Sequence, residues 1–172
     1  MICPCRWQTG GMANPDSLRK HLLNLLRMEG AHLSFDEAVA GFPVALRGAK
    51  PKGAAHTPWQ LLEHLRLAQW DILDFSRNPK YKEMKFPDAY WPKTEAPPDD
   101  EAWDRSVAQF QRDLKAMEEL VSDPKVDLTD RIGHGKGQTL LREVLLVADH
   151  NSYHLGQFVF LRKMLEGGVT AP

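Results

Sequence analysis

Apolar residues recur at three- and four-residue spacing in four long stretches of the chain, the period of helices that bury one face. In the first, "NPDSLRKHLLNLLRMEG", the stripe runs through Leu18, Leu22, Leu25, Leu26 and Met28. Asn14 stands as N-cap, Pro15 takes the first helical position, and the segment ends near Gly30. "SFDEAVAGFP" predicts a short helix next, because Ser34 and Glu37 have capping-box spacing and Gly41 and Pro43 stop it within two turns.

"HTPWQLLEHLRLAQWDILDFSRNP" carries the best-marked helix start. Thr57 caps, Pro58 follows, Gln60 completes a capping box, and Asn78 with Pro79 ends the helix. From Arg77 to Asp100 runs a connection with five prolines and the aromatics Tyr81, Phe86, Tyr90 and Trp91, long enough to cross the length of a bundle. Trp103, Val107, Phe110, Leu114, Met117 and Val121 then mark a third long helix from about Glu101 to Ser122. After a loop over 123–138, the last helix is expected from Thr139 to about Glu166, ended by Gly167 and Gly168. No strand pattern or internal repeat emerges. The expected fold is all-α: a four-helix bundle forming one domain over 14–168, with 1–13 as a disordered extension.

Composition narrows the function. At 172 residues and 42% hydrophobic content, one core fits the length. The 22 basic and 23 acidic residues nearly cancel, which gives no general attraction to nucleic acid or an anionic membrane. The two cysteines, Cys3 and Cys5, form neither a disulfide framework nor a zinc ribbon. With no signal-peptide or membrane-span pattern, a cytoplasmic location is expected.

The chemistry concentrates in "ADHNSYHLGQFVFLRK". At about 100° per residue, His150 and His154 lie about 40° apart on the helix, so both imidazoles reach one point. Glu143, Val147, Gln157 and Leu161 share that face. On the second long helix, His64 falls among Leu61, Ala68 and Phe75, so three histidines point inward from two helices. As packing residues, each neutral ring needs its own buried hydrogen-bond partner. A shared metal instead occupies one nitrogen of all three at once. Three neutral nitrogens suit zinc first, or nickel or iron, and leave a coordination position open.

These segments, "HTPWQLLEHLRLAQ", "AYWP" and "GQTLLREVLLVADHNSYHLGQFVFLRK", resemble the DinB-like metal-binding bundles, a family that includes YfiT-like hydrolases and bacterial thiol-dependent transferases. The likeness runs from about Ser17 to Leu165. It implies a metal triad of His64, His150 and His154, an up-down-down-up bundle with its crossover between the second and third long helices, and a homodimer. It does not imply a particular substrate or reaction.

Other residues allow two readings each. His56, before the helix cap, is a fourth ligand, an acid/base group or a solvated loop residue. Asp149 falls about 100° from His150 and points to an ion pair or the surface. Asn151, Tyr153 and Gln157 orient substrate or water, or simply pack. His21 is expected at the edge of the buried stripe. Glu29 and His32 form the only E-x-x-H, which disfavours a di-iron site, and the absence of H-E-x-x-H removes the standard zinc-protease reading. "GHGKGQT" lacks phosphate-loop spacing and reads as a loop over one end of the bundle, with its lysine available to an anionic substrate. Tyr90, Trp91 and Trp103 either line a pocket mouth or pack the crossover. Glu143 is about 10 Å along the axis from His150 and Glu63 points off the metal face, so neither is identified as the general acid or base.

The expected function is a metal-dependent hydrolase, in which the ion lowers the pKa of a bound water, or a transferase, in which it holds a low-molecular-weight thiol. The alternative is a non-catalytic bundle whose metal serves stability or ligand sensing in a stress response. Without a basic helix, direct DNA binding is not expected.

Overall fold

The computed structural model describes residues 15–168, so the Asn14 cap and the 1–13 extension lie outside the described residues. The chain is all-helical there: α1 (Pro15–Leu26), the short α2 (Phe35–Val39), α3 (Pro58–Arg77), α4 (Ala102–Ser122) and α5 (Leu140–Gly168). Helix α3 packs against α4 and α5, and α1 packs against the same two. No described helix is long and apolar enough to cross a membrane.

Local chemistry sets the helix ends. Thr57 Oγ1 accepts from Gln60 N at 3.2 Å while Gln60 Oε1 accepts from Thr57 N at 3.0 Å, which satisfies two orphan donors at the start of α3. The Ser34–Glu37 box does the same for α2. The carbonyls of Ala38 and Ala40, at the C-terminal end of α2, each accept from Arg162 Nη1 of α5 at 2.8 Å. Thr139 Oγ1 accepts from Arg142 N at 3.2 Å and so caps α5.

Helix α1 ends earlier than its apolar stripe predicts. Glu29 N bonds Asn24 O at 3.0 Å and Met28 N bonds Leu25 O at 3.1 Å, with Met28 at φ 58°, the left-handed closing position that glycine usually takes. That backbone costs about 1–2 kcal/mol for a residue with a side chain. Burial of the Met28 side chain in the core offsets it.

The core falls into two apolar clusters. One gathers Leu62, Leu65, Trp103, Phe110, Leu155 and Phe158 with Phe35 and Phe42 of the α2 region. The other gathers Leu22, Leu26, Leu73, Met117, Val121, Val144 and Val147. Between them along α3, α4 and α5 come the buried polar residues Gln69, Asp113 and Asn151. Asn151 Nδ2 donates to Gln69 Oε1 at 2.8 Å, and Gln69 Nε2 donates to Phe110 O at 2.8 Å. A hydrogen-bonded polar seam therefore separates the apolar halves.

The connection from α3 to α4 is fastened at both ends. Tyr81 and Tyr90 donate their hydroxyls to the two oxygens of Asp71, at 2.9 and 2.7 Å. Further on, Thr57 Oγ1 donates to Glu95 O at 2.6 Å and Trp59 Nε1 donates to Thr94 Oγ1 at 3.0 Å. Thr57 thus serves both the α3 cap and this anchor. Thr57→Ala is expected to destabilise the chain by about 2 kcal/mol in urea unfolding; a loss near zero would mean that the cap and the anchor are dispensable.

Candidate metal centre

His64 sits in the second turn of α3, and His150 and His154 sit near the midpoint of α5, on the faces that the two helices turn toward each other. His150 adjoins Asn151 in the chain, so the site lies beside the polar seam. The ligand atoms of the three rings all lie within 4.8 Å of one another. His64 Nε2 is 3.1 Å from His150 Nε2 and 3.2 Å from His154 Nε2.

The outer nitrogens fix the tautomers of two rings. His64 Nδ1 lies 2.9 Å from Tyr90 O, and because a carbonyl only accepts, Nδ1 carries the proton. His154 Nδ1 lies 3.0 Å from Gln157 Oε1 and is protonated for the same reason. Both Nε2 atoms then present bare lone pairs to each other. His150 Nε2 can donate to His64, but a neutral ring set leaves the His64–His154 pair without a proton between them. Four-coordinate zinc, with ligand nitrogens at 2.0–2.1 Å from the metal, separates those nitrogens by about 3.3 Å. The spacing and the lone pairs fit a divalent ion.

Burial keeps the rings unprotonated. Desolvation pushes the pKa of His64 down to about 4, with the neighbouring His154 and His56 adding to the shift and the Tyr90 carbonyl opposing it. His150 is also held at about 4, by burial first and then by His154 and His64, with Asn151 opposing. Its Nδ1 and the Asn151 Oδ1 are buried without a well-formed hydrogen bond. Burial lowers His154 as well, and Gln157 opposes it. At neutral pH the three rings are therefore ready ligands.

The crossover completes the site. Trp91 stacks on the His64 ring, centroids 3.8 Å apart and planes within 3°, and carries His56 on its other face at 3.9 Å. His56 is thus a half-buried neighbour outside the converging triad, and its pKa is lowered by burial, then by Lys50 and His154. Through the Tyr90 hydroxyl, Asp71 holds the segment whose carbonyl orients His64. Sequence reasoning missed this role of Asp71, although its position seven residues after His64, on the same inward face, was a usable signal. It also left Gln157 as a contact to substrate or water, or a packing residue, whereas Gln157 holds the outer nitrogen of His154.

The other candidates disperse. Asp149, Glu29, His32 and His21 are exposed, His21 being the one expected at the edge of the buried stripe. Glu63 is taken up by Arg66 and Ser106. Glu143 is buried at 2% exposure and pairs with Arg142 at 2.7 Å. The 133–139 loop is held by His134 Nε2 donating to Phe75 O at 2.8 Å and by Gln138 Oε1 accepting from Lys136 N. Trp103 is a core residue under Arg47.

A family model for the DinB superfamily matches residues 27–158, and the chain belongs to that superfamily. The match spans His64, His150, His154, Tyr90, Trp91 and Gln157. Comparison with curated proteins and with solved structures finds no match.

The buried rings make the metal-free chain sensitive to acid. Unfolding restores the ordinary histidine pKa of 6.5, above the folded value of about 4 for His64 and His150, so the unfolded state binds more protons between those values. Stability is expected to be full above pH 6.5 and to fall as the pH drops toward 4. Thermal melts of chelated protein across this range read it. The double variant His64→Phe, His150→Phe should show a flatter profile, and an equally steep one would mean that other groups carry the effect.

Proposed function

We propose that the chain is a metal-dependent enzyme, a hydrolase or a thiol-dependent transferase, that binds one divalent ion through His64, His150 and His154, with zinc the expected metal. The observation that carries this reading is the pair of unprotonated Nε2 lone pairs of His64 and His154, 3.2 Å apart, with His150 Nε2 beside them. Burying such a pair with nothing between is unfavourable.

When bound, a divalent ion supplies Lewis acidity that acidifies a water or a thiol near neutral pH. The chain's residues do the rest. Tyr90 O and Gln157 Oε1 hold the outer protons of His64 and His154, which fixes ring orientation and raises ligand basicity. Trp91 covers one face of His64 and keeps water from it. Three protein ligands leave a position for substrate.

The reading includes one domain over 14–168 with up-down-down-up order. Paired contacts support that order. Glu63 meets Ser106 and Gln69 meets Phe110, so numbers rise together in α3 and α4. His64 meets His154 and Gln69 meets Asn151, so they run oppositely in α3 and α5. Arg19 meets Val121 and Arg27 meets Glu118, so they also run oppositely in α1 and α4. The crossover then joins the parallel pair.

Elemental analysis of untagged protein tests the centre: about one equivalent of metal is expected, and none in His150→Ala. Metal content unchanged in that variant would overturn the site. Gln157→Leu is expected to weaken metal affinity about tenfold in chelator competition; unchanged affinity would remove its orienting role. Cobalt-substituted protein separates enzyme from structural bundle. A visible spectrum that shifts with azide marks an open position, and an unresponsive one favours the structural reading.

A further inference from the structure

A pocket of about 510 Å³ opens between the loop over 52–56 and the outer face of α5, and His154 is part of its wall. That volume lies in the range of small-molecule sites. Its surface is mainly apolar, from Leu61, Tyr153, Phe160, Leu161 and Met164, with Gln157 and His56 near the metal ligand. Tyr153 and Phe160 are 64% and 66% exposed, a large apolar display for residues in the middle of a helix. From Tyr153 to Met164 the α5 wall extends about 16 Å. Among the described residues the lining has one side chain with a fixed charge, the exposed Lys52, and no carboxylate.

We propose that this pocket binds the substrate of the metal centre and that the substrate class is an elongated apolar molecule bearing one carboxylate. The apolar body lies along Phe160, Leu161 and Met164, and the carboxylate pairs with Lys52. A single flexible ammonium suits a monoanion. A phosphate dianion would call for more than one cationic group, and among the described residues no arginine joins Lys52 in the lining. A cationic substrate finds no counter-charge in the wall. The assignment rests on the metal-centre reading only for the place where reaction occurs; the binding chemistry belongs to the pocket itself.

Calorimetric titration of the full chain with decanoate, decanol and decylamine, each below its micellar range, tests the proposal. Decanoate is expected to bind about tenfold more tightly than decylamine. Lys52→Gln should erase that preference, Phe160→Ala should weaken all three ligands, and His150→Ala should leave the preference intact. A preference that survives Lys52→Gln overturns the assignment, as does one that vanishes with His150→Ala, since the carboxylate would then sit on the metal. Absence of binding by all three overturns it too. Metal content measured on the same samples keeps the readings apart: metal without decanoate binding rejects the pocket, and decanoate binding without metal rejects the centre.

Discussion

Three imidazoles that share one point inside a helical core constrain this structure more than any other group. Their burial removes the option of protonation at neutral pH, because desolvation and mutual repulsion depress the pKa values of His64 and His150 to about 4. What remains is a set of lone pairs that repel in pairs and attract a cation jointly. The helices must supply proton acceptors behind the rings, and they must tolerate polar groups where apolar packing would be more favourable. The Tyr90 carbonyl, the Gln157 amide and the Gln69–Asn151 chain answer those two demands.

The crossover belongs to the site as much as to the fold. A connection of this length would ordinarily be free to move, yet two tyrosine hydroxyls close on the buried carboxylate of Asp71, which is 7% exposed. The same contacts press down on those hydroxyls' own chemistry: burial first, and then the Asp71 charge, push both phenol pKa values upward, so the protons stay on the tyrosines. The next residue, Trp91, is thereby held flat against His64. A hydrogen bond on one side of the segment thus determines a ring stack on the other.

Much of this was legible beforehand, for identifiable reasons. Helix α3 could be read because cap residues and periodic apolar positions coincide, and its Thr57–Gln60 box formed as its spacing required, whereas α4 could be read from periodic apolar positions alone. His64, His150 and His154 could be read because inward polar residues on an apolar face need an explanation. The end of α1 could not, since a methionine in the left-handed position contradicts local preference and is justified only by tertiary burial. Asp71 and Gln157 escaped for a related reason: their roles depend on which partner a distant segment brings to them, and spacing along one helix does not carry that information.

The polar seam gives the bundle a further property. Apolar surfaces match almost as well after one helix slides a turn past another, whereas the amides of Gln69 and Asn151 accept only one alignment. Slipping α5 along α3 by a turn would break the bond from Asn151 Nδ2 to Gln69 Oε1, strand both atoms in a dry interior and carry an imidazole into hydrocarbon. The seam therefore works as a key cut into a greasy lock: it adds little attraction, but it allows a single register, and that register is the one in which the three histidines converge.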